Sequence, residues 1–92
     1  MKHIFFAVLL LAGTLLAQED QFIATLKSDA SPQEKAAACR ELARVGTRQA
    51  IPVLAPLLAD EALSHWARYA LEPIADPAAD AALRDALGQL KG

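Results

Sequence analysis

Ninety-two residues with a formal charge of −2 and a pI near 5.5 bound this protein to one small domain with a mildly acidic surface. Such a surface offers no general attraction to nucleic acid or to an anionic membrane, so neither is expected as a partner. The single cysteine, Cys39, excludes an intramolecular disulfide, although a core this small rarely supplies more than roughly 3–5 kcal/mol unaided.

The chain opens on Met1 and the basic pair Lys2-His3, followed by thirteen residues without a charge, Ile4 to Leu16. Ala17 comes next, and acids appear at once at Glu19 and Asp20. A basic start, a short apolar run, a small residue and then polar chain is the order of a secretory signal peptide. Thirteen residues are short of the roughly 20 that span a bilayer comfortably. Residues 1–17 are therefore expected to be a signal peptide cut between Ala17 and Gln18. An uncleaved anchor, which would be the chain's only membrane contact, and a buried helix are the rival readings. The location that follows is exported, periplasmic or extracellular. Without Lys2 the 75 residues from Gln18 carry eight Lys and Arg against eleven Asp and Glu, a charge of −3. Alanine fills 18 of those 75 positions, which suits helices packed closely. No alternating β-branched run and no Asn-Gly or Asp-Gly turn signals a strand.

Asp20 to Lys27 reads as a short helix with Phe22, Ile23 and Leu26 on one face, ending at Ser28-Asp29-Ala30. Residues 18–30 are expected to be an incomplete repeat or cap. Ser31-Pro32-Gln33-Glu34 is a helix start: Ser31 can cap, Pro32 needs no amide hydrogen there, and Glu34 can close a capping box. The helix presents Ala38, Leu42 and Val45, with Cys39 and Ala43 beside them, and Gly46 is expected to end it in a left-handed conformation. Thr47 caps a second helix with Ala50, Val53, Leu54, Leu57 and Leu58 inward. Pro52 and Pro56 either split off its first turn or bend it. Asp60 is expected to start the next helix, with Leu63, Ala67, Ala70, Leu71 and Ile74 inward. Pro73 disfavours helical geometry at Glu72. Asp76-Pro77 then starts the last helix, with Ala79, Ala82, Leu83, Ala86, Leu87 and Leu90 on one stripe.

These four helices are two copies of one pattern. Ser31 to Leu58 aligns with Asp60 to Leu87 at an offset of 29 residues. Ala38 pairs with Ala67, Leu42 with Leu71, Ala50 with Ala79, Leu54 with Leu83 and Leu58 with Leu87. The helix starts match in chemistry as well, Ser31 with Asp60 and Thr47 with Asp76. Five apolar identities and two matched caps at a single offset define an internal repeat.

The second copy, in which Asp60, Arg68, Ala70, Leu71, Asp76, Pro77, Leu83 and Leu87 fall on the family pattern, resembles a HEAT repeat of the bacterial type. The first copy departs from that pattern, with Thr47-Arg48 in place of Asp-Pro and with Pro52 and Pro56 added. The resemblance covers residues 29 to 90. It implies an all-α fold, an α-solenoid of about two and a half HEAT-type helical hairpins, with repeats over 31–58 and 60–87 of a 31–92 domain. The segment also resembles the opening of longer exported HEAT proteins, which implies a fragment or a shortened relative.

Little in the chain promises chemistry. Cys39 sits in Ala-Ala-Ala-Cys with no histidine near in sequence, so a buried inert thiol is expected rather than a nucleophile. After the leader there is one histidine and one cysteine and no ligand pair at zinc spacing, so no metal and no cofactor are expected. His65, Arg68, Tyr69 and Glu72 share the outer face of the third full helix, with Trp66 at its border. His65, Trp66, Arg68 and Tyr69 are the candidate partner face, since aromatic residues and arginine are enriched at binding hot spots; a solvated face with Trp66 packed on a neighbour is the competing reading. Arg40, Arg44 and Arg48 fall four apart and would line one side of the first repeat. The function expected is a non-catalytic scaffold for protein–protein interaction, with another protein or further HEAT repeats as partner, or self-association. The alternative is an enzyme-associated module, because some HEAT-like repeats resemble the phycobilin lyase family, which attaches pigments to proteins. The last helix stays apolar nearly to its end, so its open side is expected to need cover.

Overall fold

The computed structural model describes residues 18–91, so the expected leader over residues 1–17 lies outside the described residues. Residues 18–27 are helical (α1) and lay Leu26 into the core, with Phe22 and Ile23 packed against it. The helix closes on Ser28, whose hydroxyl donates to the Thr25 carbonyl at 2.7 Å and accepts from the Ala30 amide at 3.1 Å.

α2 spans Pro32–Val45. Its start is the expected capping box: the Glu34 amide donates to Ser31 Oγ at 3.1 Å, and the Ser31 amide donates to Glu34 Oε1 at 3.2 Å. A cap of this kind contributes about 1 kcal/mol. The helix ends at Gly46, though not in the left-handed region. Gly46 is extended, with φ −69 and ψ 143, and its amide donates to the Leu42 carbonyl at 2.7 Å. Glycine is needed for a different reason, since a Cβ there would lie 2.5 Å from the Leu42 oxygen.

The second helix of the first repeat is cut into three. A 3-10 turn at Arg48–Ala50 leads into α3 (Ile51–Leu54), and a second 3-10 segment follows at Ala55–Ala59. Pro52 and Pro56 each fall in the first turn of their own segment, where no amide hydrogen is required. The tighter 3-10 winding also shifts the inward face. Ile51 is buried with Ala50, Leu54 and Leu58, whereas Val53 and Leu57 are half-buried.

α4 runs Ser64–Leu71 and begins later than Asp60. The Asp60 carboxylate accepts from the amides of Ala62 at 2.8 Å and Leu63 at 3.1 Å, holding a turn ahead of the helix. Leu63, Ala67, Ala70, Leu71 and Ile74 are buried as the spacing predicts. Glu72 keeps helical dihedrals of −57 and −41 despite Pro73, and its amide still reaches the Arg68 carbonyl at 3.0 Å. The α-helix nevertheless ends at Leu71, and the chain loosens before Asp76 as expected. Asp76 accepts from the Ala78 amide at 2.8 Å and opens α5, Pro77–Lys91. Ala79 is buried, while Ala82, Leu83 and Ala86 pack against the core from its edge. The Leu90 side chain lies outside the described residues.

α2 packs on α4, and the segmented second helix packs on α4 and α5. First helices thus stack on first helices and second helices on second helices. The shared core is centred on Leu42, Leu54, Leu71 and Cys39, the largest side chains that are fully buried. The described residues are helical throughout, with turns between the helices and no strand among them. The fold is an all-α solenoid of stacked hairpins.

Candidate interaction surface

α4 turns Ala67, Ala70 and Leu71 into the core, which leaves His65, Arg68, Tyr69 and Glu72 on its far side by helical spacing. All four are exposed, Tyr69 by 48%. Trp66 is half-buried on the flank that meets α2. Its ring makes edge contacts with His65 at 5.1 Å and Tyr69 at 5.8 Å, and the Arg40 guanidinium carbon stands 5.1 Å above its centroid. A cation–π contact at an exposed site contributes about 0.5–1 kcal/mol. The structure therefore brings His65, Trp66, Arg68 and Tyr69 onto one short helix, and it adds Arg40 to the group.

The arginine row does not form. Arg40 lies on Trp66, Arg44 pairs with Glu41 of its own helix, and Arg48 Nε lies 3.8 Å from Asp76 Oδ2. Arg48 is 82% exposed, so that last contact contributes little.

The internal repeat shows what the far side of α4 is. His65, Arg68, Tyr69 and Glu72 occupy the positions of Ala36, Cys39, Arg40 and Ala43 on α2. That side of α2 meets α4: Cys39 is fully buried and Arg40 touches Trp66. Leu83 and Leu87 of α5 likewise correspond to Leu54 and Leu58. Within the first repeat these positions form the junction between repeats; within the second they form an open face. Tyr69 and Leu87 are the two large hydrophobic residues exposed among the described residues, and both belong to it. A crevice of about 60 Å³ lies in that face, lined by Leu58, Ser64, Arg68, Leu83, Ala86 and Leu87. The apolar open side expected from the last helix is thus real on α5, whereas α4 has replaced Cys39 and Ala43 with Arg68 and Glu72.

A second depression runs between the second helices of the two repeats. It is a trough of about 520 Å³, open to solvent and lined by small residues including Pro52, Ala55, Ala78, Ala81 and Ala82.

Cys39 is fully buried, and burial pushes its thiol up to about 11. A thiol held that high is protonated at neutral pH and a poor nucleophile. Among the described residues no group of three or more His, Cys, Asp and Glu is arranged to hold a metal ion, and no helix is long and apolar enough to cross a membrane. The sequence reading missed Glu19. Only 3% exposed, it accepts from the Thr47 amide at 2.6 Å and from the Thr47 hydroxyl at 2.8 Å, and so ties α1 to the turn between the two helices of the first repeat. Position 19 is one repeat before Arg48, and Arg48 approaches Asp76 as Glu19 meets Thr47.

Stacked antiparallel helical hairpins with a 29-residue period place the protein among the α-solenoids. The chain belongs to the HEAT repeat family: residues 19–89 match the family described as HEAT repeats. HEAT repeats generally mediate protein–protein interaction and are typically non-catalytic scaffolds. No curated protein and no solved structure matches the chain.

Proposed function

We propose that this chain is an exported, non-catalytic module that binds protein through the open face of α4 and α5. The observation that carries the reading is the pairing of that face with an internal interface of the same molecule. Of the side chains equivalent to the buried Leu54 and Leu58, Leu83 is half-buried and Leu87 is exposed, and His65, Arg68 and Tyr69 stand on the helix beside them. An apolar centre with an aromatic and arginine border is the composition of a protein-binding hot spot. Export follows from the charge order around Ile4 to Leu16, and N-terminal sequencing of the exported product is expected to begin at Gln18. An intact Met1 in the membrane fraction would refute the cleavage.

Site-specific photo-crosslinking in an exporting host tests the binding face. A crosslinker at Leu87 is expected to give protein adducts that one at Asp80, on the exposed side of α5, does not give. Equal adducts at both positions, or none at Leu87, would overturn this choice of face. A purified chain carrying a visible chromophore would favour the pigment-attachment alternative instead.

A further inference from the structure

We propose that the open face of α4 and α5 pairs with the same face of a second copy of this chain, about a twofold axis. The inference rests on the reading of that face as a protein-binding surface and names its occupant. A twofold contact is isologous, so the surface must complement itself: whatever it offers at one point it must answer at the point related by the axis. Three features of this face meet that condition.

Arg68 and Glu72 carry opposite charges one helical turn apart on α4, and both are exposed. Neither takes part in an ion pair among the described residues, where the pairs are Arg44 with Glu41 and Arg48 with Asp76. Two such helices set antiparallel across an axis midway between the two residues place Arg68 of each copy against Glu72 of the other. The pair then forms twice, once on each side of the axis, and every charge is answered with no further partner.

The apolar part of the face lies beside this pair. Arg68 and Leu87 line the same crevice, together with Leu83 and Ala86, so a copy that meets Arg68 and Glu72 also meets the leucines. The molecule already contains an interface of this design, since Leu54 and Leu58 at the equivalent positions are 0% and 7% exposed beneath the next helices.

The charges also distinguish a second copy from a further repeat. At the junction between its repeats the protein uses Cys39 and Ala43, of which Cys39 is fully buried. A helix stacked in the same way on α4 would cover the Arg68 position, as Cys39 is covered, and would have to supply an opposite charge for it. A twofold mate brings the opposite charges with it.

The test is light scattering on the chain expressed from Met1 in an exporting host and purified as the exported product, over a range of concentrations. A concentration-dependent dimer is expected. Leu87→Glu is expected to leave a monomer at every concentration with an unchanged helical circular dichroism spectrum. Arg68→Glu and Glu72→Arg, both at exposed positions, are each expected to weaken the dimer about tenfold by setting like charges against each other. Arg68→Glu combined with Glu72→Arg is expected to restore it to within about threefold. A monomeric wild type would overturn the pairing, yet adducts of Leu87 with a different protein would leave the binding-module reading standing. A dimer indifferent to Leu87→Glu, or a double charge swap as weak as the single changes, would also overturn the twofold arrangement.

Discussion

Leu54 and Leu58 in the first repeat are 0% and 7% exposed, whereas their counterparts Leu83 and Leu87 are half-buried and 62% exposed. Sequence pattern is the same in the two places and the burial is not. The pattern of a repeat specifies which side of a helix is built to be covered; whether it is covered depends on a neighbour. In the first repeat that neighbour is α4 and α5. The second repeat bears two kinds of residue on the equivalent side, leucines retained on α5 and charges introduced on α4.

The comparison is broken most directly by leucine truncation. Leu54→Ala and Leu71→Ala remove fully buried side chains and should each cost about 3–5 kcal/mol. Leu83→Ala, at the edge of the core, should cost roughly 1–2 kcal/mol because much of its surface is wet already. Urea denaturation at concentrations where the chain is monomeric measures all three. An equal loss at Leu54 and Leu83 would mean that the open face is covered within a single chain, and the contrast between repeats would disappear.

Cys39 and Arg68 sharpen the same contrast, because they hold the same position in the two repeats, one buried and one exposed. Burial raises the Cys39 thiol from its ordinary 9.0 to about 11 in the folded protein. A group raised on folding lends stability that is fully present below its unfolded value and is lost as pH climbs to the folded one. The wild type should therefore lose up to about 2–3 kcal/mol relative to Cys39→Ala between pH 9 and pH 11. Stability curves of the two proteins that run parallel over that interval would show that Cys39 is not buried in solution. Below pH 9, thiol labelling of the native chain should be slow and should require opening of the fold.

The all-α solenoid was legible in the sequence because apolar spacing and caps both survive at the 29-residue offset. Ser31, Thr47 and Asp76 were readable as capping residues from residue type alone, whereas Asp60 holds a turn ahead of α4 instead of capping it. Several local details were not. Gly46 was expected to be left-handed because most glycines past a helix end are, yet a tight approach to the Leu42 carbonyl selects glycine without a positive φ. Ile51 escaped the inward list because a 3.6-residue period does not describe a helix that opens in 3-10 geometry. Of the surface, His65, Trp66, Arg68 and Tyr69 were legible as neighbours on one helix. That their face is the equivalent of an internal junction could be recognised only once Cys39, Leu54 and Leu58 were seen covered. Glu19 was hidden for another reason: its partner Thr47 is 28 residues away, and no helical period links two residues in different elements.

The smallest effect compares the two polar contacts that tie successive layers together. Glu19 reaches Thr47 across the first junction, and Arg48 reaches Asp76 across the second at the same offset. The geometries differ. The Glu19 carboxylate is buried and takes both the amide and the hydroxyl of Thr47, whereas Arg48 is exposed and 3.8 Å from its partner. Hydrogen bonds to a charged group contribute about 1.5–3 kcal/mol where water is excluded, and an exposed ion pair contributes between nothing and about 1 kcal/mol. Glu19→Gln keeps the shape but weakens the acceptor, so it should lower stability by about 1–2 kcal/mol. It should also raise amide exchange at Thr47 and along α1, because the docking of that helix depends on the contact. Arg48→Ala should change stability by under about 0.5 kcal/mol and leave exchange at Asp76 as it was. Hydrogen-exchange mass spectrometry on both variants reads the two junctions side by side. If Arg48→Ala proved the more damaging, the second junction would be held by its polar contact rather than by the apolar side chains beneath it, and the first repeat would not be the better-anchored half of the molecule.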